Sequence, residues 1–175
     1  MSGTAYNLWL LPVEPLRGKL RLIIDQLAAK YDAARFVPHV TFFSGQSDEQ
    51  EITGIAQDLM DQPLPMELKP ICLSHTHLFT KTLFVQFEDS QPLRDMYHRA
   101  VAVCSRPTGY KLNPHLSLLY KTMNENEKAR LCRRLDIPAG PFLFDSFQAI
   151  EMETPFTAPE QIERCRTVYD STKKR

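Results

Sequence analysis

The chain lacks the features that mark several specialised protein classes, beginning with net charge. Its 175 residues carry 21 Lys and Arg against 21 Asp and Glu, so the formal net charge is zero. Proteins that coat long nucleic acids normally carry a strong basic excess, and the balance argues against that class. A neutral chain is still compatible with a small anionic ligand held by a few local groups.

Long hydrophobic runs are also missing. The longest apolar stretch near the start, Leu8 to Val13, is far too short to span a bilayer. No basic segment precedes it, so it does not have the form of a secretory signal peptide. We therefore expect a cytoplasmic protein with no membrane partner.

Cysteine is sparse and widely spaced. The four cysteines form no C-x-x-C pair (Cys72, Cys104, Cys132 and Cys165). This spacing is not that of a zinc cluster, and in a reducing cytoplasm it predicts free thiols. His75 and His77 share a strand face, but no third ligand accompanies them, and we expect neither a metal nor a cofactor.

What the chain does contain is the composition of a globular protein. Apolar residues make up 43% and charged residues 24% of the sequence. This much apolar surface can offset the chain entropy lost on folding, so disorder is not expected. The length fits one domain, or two tightly joined small lobes.

Hydrophobic periodicity predicts alternating strands and helices. Strands are predicted over 6–12, 39–43, 66–77, 83–87, 115–120, 142–153 and 166–169, with helices beginning near Leu16, Ser47, Pro92 and Thr122. At Ser47 and Thr122 the spacing to a Gln or Glu three residues later predicts a capping box.

The two halves of the chain repeat one order of elements. His115 follows His39 by 76 residues, and each half predicts strand, helix, strand, helix, strand. Two copies are too few for a solenoid. We expect a single domain over 1–175, built as two lobes, approximately 5–77 and 82–170, that face each other across a cleft. The pattern favours an α+β fold with largely antiparallel sheets.

The most strongly repeated segment is a short histidine motif. Pro38-His39-Val40-Thr41-Phe42 and Pro114-His115-Leu116-Ser117-Leu118 share the order proline, histidine, apolar, hydroxyl, apolar. Because residues i and i+2 of a strand share a face, each motif sets an imidazole beside a hydroxyl. One such motif is usually structural, but two copies at matching places in a repeat predict a catalytic pair.

Two imidazoles across a cleft suit the cleavage of a phosphoester. A neutral histidine takes a proton from attacking water, while an imidazolium donates one to the departing oxygen. An unperturbed pKa of about 6.5 fits both roles. The hydroxyls of Thr41 and Ser117 can donate to the non-bridging oxygens, and nothing in this scheme requires a metal.

The paired motifs resemble the 2H phosphoesterase superfamily, and most of all its cyclic phosphodiesterase branch from plants and yeast. The similar segments are 6–12, 35–41 and 114–120, and the resemblance spans nearly the whole chain. It implies two pseudo-symmetric lobes around a central cleft that holds both motifs. Each lobe would have a mainly antiparallel sheet with outer helices.

The resemblance also implies an activity, the metal-independent hydrolysis of small cyclic phosphodiesters. The substrates would be nucleoside 2′,3′-cyclic phosphates, opened to the 2′-phosphate, and ADP-ribose 1″,2″-cyclic phosphate, opened to the 1″-phosphate. His39 and His115 would be the catalytic pair, assigned as acid and base respectively. Thr41 and Ser117 would bind the phosphate.

Trp9 and Tyr120 match aromatic positions that line the family's site. An aromatic face there could stack on a base or cover the cleft. Strict strand alternation places Tyr120 on the face opposite His115 and Ser117, so it reaches the cleft only if the strand bends or ends before it. Trp9 is equally compatible with a plain core position on a buried strand.

Two other functions stay compatible with the sequence. One is a 2′-5′ RNA ligase-like enzyme of the same superfamily that acts on RNA ends, although the zero net charge counts against it. The other is a module that binds phosphate esters without turnover, although binding alone does not need two titratable groups. The expected partner is a small cyclic-phosphate nucleotide, with no long nucleic acid, and the expected state is a monomer.

Overall fold

Eight antiparallel strands form one sheet in the computed structural model, which describes residues 3–174. They are β1 (Gly3–Pro12), β2 (Val40–Gly45), β3 (Met66–Leu68), β4 (Pro70–His75), β5 (Leu83–Phe87), β6 (His115–Leu119), β7 (Phe142–Thr154) and β8 (Arg166–Asp170). Every strand pair is antiparallel. The predicted α+β class with antiparallel pairing is confirmed.

Helices pack against this sheet through amphipathic faces. They are α1 (Leu16–Tyr31), α2 (Glu49–Asp58), α3 (Gln91–Val103), α4 (Glu125–Arg134) and the short α5 (Glu160–Glu163), with 3₁₀ turns at Phe79–Lys81 and Ser171–Lys174. In α1 the buried side chains are Leu20, Ile24, Leu27 and Ala28, the spacing of a helix with one core-facing stripe.

Helices α2 and α4 begin slightly later than the sequence predicted. Their N-cap residues are Asp48 and Asn124, whose side chains accept hydrogen bonds from the backbone amide three residues on, at 2.8 and 2.9 Å. The predicted caps at Ser47 and Thr122 are therefore wrong. In both helices a short Asp or Asn side chain, one or two residues after the predicted cap, accepts the hydrogen bond from an unpaired backbone amide of the first turn.

The sheet consists of two half-sheets joined at its centre. The strand order is β3-β7-β1-β2-β6-β5-β4, with β8 also paired to β7. We call β3, β7, β8, β1 and β2 the first half-sheet, and β6, β5 and β4 the second. They are connected through one β2–β6 residue pair, Val40 with Leu116. By contrast, β1 and β7 pair from Gly3 to Pro12 along the whole of β1.

The half-sheets exchange strands between the two sequence repeats. Strand β4 belongs to the first repeat but pairs with β5 of the second, whereas β7 belongs to the second repeat but pairs with β1 of the first. The intervals 5–77 and 82–170 therefore do not map one to one onto the half-sheets. A repeat shows the order of elements, but strand pairing is non-local and does not follow from that order.

The predicted strand 66–77 is broken at Lys69. Its first part, β3, is one edge of the sheet, and its second part, β4, is the opposite edge. The two edge strands are thus consecutive in the chain and are separated only by Lys69. Because one residue spans only a short distance, the sheet must curl so that its two edges lie close together at Lys69. At this closure Phe87 packs against Phe142 with ring centroids 5.3 Å apart.

Two further expectations concern cysteines and membrane segments. All four cysteines are free thiols, as their spacing predicted. Within residues 3–174, the helices are too short or too polar to cross a bilayer.

Candidate active site

The junction of the half-sheets brings the two histidine motifs together. The residue pair that joins β2 to β6 is the central apolar residue of each motif. In an antiparallel pair the flanking residues also face each other, so His39 lies across from Ser117, and Thr41 across from His115. These four side chains form a square on one face of the sheet, which we call the motif square. The two histidines occupy diagonal corners.

A cavity of about 240 Å³ opens over the motif square. All six residues that the sequence predicted for the site line it: His39, Thr41, His115, Ser117, Trp9 and Tyr120. The other lining residues are Asn7, Ser44, Thr80, Tyr110, Met152, Phe156 and Ile162. This set contains no carboxylate, lysine or arginine, so the histidines are its readily charged members.

Backbone carbonyls set the orientation and tautomer of both histidines. His39 Nδ1 lies 2.6 Å from the Val37 carbonyl oxygen, and His115 Nδ1 lies 2.7 Å from that of Asn113. A carbonyl can only accept, so each Nδ1 carries a proton and donates it. In the neutral rings, Nε2 is therefore left to accept a proton.

Burial lowers the pKa of both histidines to about 4. Removal from water disfavours the imidazolium, while the carbonyl bonds to Val37 and Asn113 partly oppose this by favouring the charged form. The charge of each neighbouring cation, His115 beside His39 and Lys81 beside His115, lowers the pKa further. Both rings are therefore neutral at neutral pH, and an anion bound beside them would raise their pKa.

Trp9 packs directly on His39. The two rings are stacked with centroids 3.7 Å apart and an interplanar angle of 11°. The indole fixes the imidazole plane and excludes water from that face, and its π-system attracts a positive ring. Trp9 thus lines the cavity as the sequence suggested, but one of its faces is already occupied by His39.

Tyr120 reaches the cavity because β6 ends at Leu119. Its ring stacks on Phe36 with centroids 4.0 Å apart, and Phe79 and Phe156 lie close by. Burial raises the pKa of its hydroxyl, so the side chain is neutral near neutral pH. The conflict with strand alternation disappears because Tyr120 lies beyond the strand.

The 3₁₀ turn at Phe79–Lys81 lies at the edge of the cavity, next to the second half-sheet. The Ser117 hydroxyl donates to the Thr80 carbonyl at 2.8 Å. Thr82 holds the turn in place, since its buried hydroxyl lies 2.9 Å from the Phe79 carbonyl and 2.7 Å from that of Lys121. The phosphate-binding candidate Ser117 is thus tied to this turn.

Lys81 brings a positive charge to the His115 side. Its ammonium lies 4.2 Å from the centre of the Phe84 ring, and that ring meets His115 edge-on at 5.5 Å. Within residues 3–174, no carboxylate lies at ion-pair distance from Lys81. Its charge is therefore available to an anion near His115.

Sequence reasoning missed Ser44, which a β-bulge turns into the cavity. Trp9 pairs with Thr41 and Asn7 pairs with Ser44, so two steps along β1 correspond to three along β2. Because of the extra residue, the consecutive Phe42 and Phe43 are both buried in the core, and the next side chain, Ser44, lines the cavity. Asn7 itself lies two residues before Trp9, a spacing visible in the sequence.

Tyr110 is a second residue that the sequence did not reveal. Its hydroxyl donates to the Thr41 carbonyl at 2.8 Å, and burial raises its pKa to about 12. It lies in the irregular connection between α3 and β6, where no periodic pattern could place it.

His75 and His77 lie outside the cavity, beside helix α4. Their ring nitrogens lie 3.1 and 3.8 Å from the carboxylate oxygens of Glu125. The buried Lys128 ammonium binds the same carboxylate at 2.9 Å. The two histidines therefore belong to a polar cluster that anchors α4 against β4.

Comparison with known proteins finds a similar sequence in a cyclic phosphodiesterase and a similar fold in LigT. No family model matches it. A curated relative, the cyclic phosphodiesterase of Arabidopsis thaliana, is 27% identical over 136 residues, covering 70% of this chain and 68% of that protein. The crystal structure of E. coli LigT complexed with 3′-AMP aligns with a TM-score of 0.51 and 15% identity over 95% of this chain and 94% of the other.

A second LigT structure, complexed with ATP, aligns with a TM-score of 0.47 and 17% identity over 95% of each chain. The match to the 3′-AMP complex shows that this chain has the LigT-like fold, with an antiparallel sheet and packed helices.

NMR of nitrogen-15-labelled histidines tests the tautomer and acidity of the pair. At pH 7 we expect both His39 and His115 to carry the proton on Nδ1, because each Nδ1 faces a carbonyl. Both should titrate near pH 4, since burial lowers each pKa to about that value. His39→Gln and His115→Gln supply the assignments. Protonation on Nε2, or titration of either ring near pH 6.5, would show that this description is wrong.

Proposed function

We propose that this chain, which belongs to the 2H phosphoesterase superfamily, hydrolyses small cyclic phosphodiesters by metal-independent acid–base catalysis. The observation that carries the proposal is the motif square, with two Nδ1-protonated histidines at diagonal corners. The proposed substrates are nucleoside 2′,3′-cyclic phosphates, opened to the 2′-phosphate, and ADP-ribose 1″,2″-cyclic phosphate, opened to the 1″-phosphate.

The diagonal arrangement suits in-line displacement at phosphorus. A phosphate centred on the square would have His39 on one side and His115 on the other. His115 Nε2 takes a proton from water as its oxygen attacks phosphorus. His39, as the imidazolium, gives its Nε2 proton to the departing ester oxygen. Thr41 donates to a non-bridging oxygen, where charge concentrates, and Ser117 does the same once its one hydroxyl proton turns from the Thr80 carbonyl to the phosphate.

The surroundings of the two rings favour His39 as the acid. The stacked Trp9 face attracts a positive ring at His39. On the other side, burial and, as a smaller contribution, the Lys81 charge lower the pKa of His115 and so favour its neutral form. A site of nearly two-fold symmetry therefore has one corner suited to the imidazolium and one suited to the base.

The cavity favours a small substrate over an RNA end. Among residues 3–174, no lysine or arginine lines the cavity, so a chain of further phosphates would meet no cationic track there. The relative from Arabidopsis is named for cyclic phosphodiester cleavage, and LigT was crystallised with the mononucleotide 3′-AMP. The free thiols suit a reducing compartment, and we propose that the enzyme acts in the cytoplasm.

Replacing either motif histidine tests the proposed activity. With EDTA present, the unaltered protein should hydrolyse at least one of the two substrate types. His39→Ala and His115→Ala should each lower kcat by at least about 100-fold, because a general acid or base is lost. His98→Ala, at an exposed position on α3, is the matched control and should keep full activity. The proposal fails if both substrates stay intact, or if the motif variants behave like His98→Ala.

Replacing Lys81 tests the assignment of acid and base. Lys81→Met removes a charge that lowers the pKa of His115, so that pKa should rise. The base must be neutral to act, and the rate falls as the pH drops through its pKa. The acidic limb of the kcat/KM profile should therefore move to higher pH.

Charge-retaining and remote variants serve as controls for Lys81. Lys81→Arg should keep the original profile, and so should Lys111→Met at an exposed position. The role given to the Lys81 charge would be contradicted if the acidic limb of the kcat/KM profile did not move in Lys81→Met. It would also be contradicted if that limb moved equally far in Lys81→Arg.

A further inference from the structure

One side chain in the cavity wall carries a donor that the protein leaves unsatisfied. Asn7 lies on β1, lines the cavity and is only 6% exposed. Its amide nitrogen, Nδ2, has no hydrogen-bond partner among residues 3–174. Buried polar groups in folded proteins are almost always paired, and an unpaired amide donor is destabilising. Folding alone therefore gives no reason for an asparagine here.

The surroundings of Asn7 differ from those of the motif square. Its cross-strand neighbours are Ser44 on β2 and Ile150 on β7. Met152, two residues beyond Ile150 on β7, and Ile162 add apolar side chains to the cavity wall, and Phe156 adds a third beside Tyr120. One amide and one hydroxyl thus stand in a mainly apolar compartment.

Asn7 also lies at a suitable distance from the phosphate position. It is two residues, or about 7 Å, along β1 from Trp9, which stacks on His39. Strand alternation places Asn7 and Trp9 on the same face. A ligand with its phosphate on the motif square would extend its far end toward the Asn7 amide.

We propose that Asn7 is a specificity-determining residue that binds the edge of the substrate's nucleobase. A carboxamide offers one donor and one acceptor side by side, and nucleobase edges present the complementary pair. The apolar wall suits the flat faces of a base. The proposal rests on the proposed function, in which the substrate carries a nucleoside.

Folding stability gives the first test. Asn7→Leu keeps a similar side-chain size and removes the unpaired amide, so the ligand-free variant should unfold at an equal or higher denaturant concentration. Ser171→Ala is the matched control, since its buried hydroxyl accepts a hydrogen bond from the Phe147 amide at 2.9 Å. That variant should unfold at a lower concentration. If Asn7→Leu is destabilised as Ser171→Ala is, Asn7 is structural and the proposal is overturned.

Equilibrium binding gives the second test, independent of turnover. Calorimetry would compare adenosine 2′-monophosphate with inorganic phosphate. Asn7→Leu should weaken nucleotide binding about tenfold, as expected for a lost hydrogen bond, and change phosphate binding less than twofold. Unchanged nucleotide binding, or an equal loss for both ligands, overturns the proposal. A protein that binds the nucleotide in this way but hydrolyses nothing would overturn the proposed function alone.

A substrate without a base separates recognition of the base from recognition of the sugar. The kcat/KM of Asn7→Leu should fall about tenfold on adenosine 2′,3′-cyclic phosphate and stay within twofold on methyl riboside 2,3-cyclic phosphate. An equal fall on both substrates would place the contact on the ribose or phosphate and overturn recognition of the base.

Discussion

The pairing of Val40 with Leu116 is the contact on which the rest of the site depends. Both side chains are fully buried, and they form the residue pair that joins the two half-sheets. This register alone sets each motif histidine across from the other motif's hydroxyl. A slip of one residue would turn every polar group of one motif to the opposite face. The apolar centre of each motif therefore positions the chemistry of the residues beside it.

The burial that positions the histidines also sets their acidity. Each ring donates from Nδ1 to a carbonyl two residues earlier, so the backbone frame is nearly symmetric. The side chains around that frame are not symmetric, because Trp9 stacks on one ring while Lys81 acts on the other. A repeated motif thus provides two equivalent places for histidine, and unrelated neighbours give those places different surroundings.

Much of the site could be predicted from the sequence because it obeys local rules. The motifs lie on strands, and a period of two was enough to put His39 beside Thr41 and His115 beside Ser117. Other parts depend on features that local rules do not capture. Ser44 reaches the cavity through a bulge, and Tyr120 reaches it because its strand ends one residue earlier.

The limits on predicting the fold have the same physical origin. The repeat predicted the order of strands and helices, but not that β4 and β7 each pair with strands of the other repeat, since such pairing joins residues far apart in sequence. Likewise, the unpaired amide of Asn7 becomes visible only when its burial and its neighbours are known.

The most direct test of the central claim is the identity of the reaction product. Phosphorus-31 NMR would follow hydrolysis of both substrate types in oxygen-18 water with EDTA present. In the proposed mechanism, water activated by one histidine attacks phosphorus while the other histidine protonates a single leaving oxygen. We therefore expect one product per substrate, the 2′-phosphate or the 1″-phosphate, with one oxygen-18 atom on phosphorus. A 3′-phosphate, a mixture of isomers, or a product without the label would contradict it.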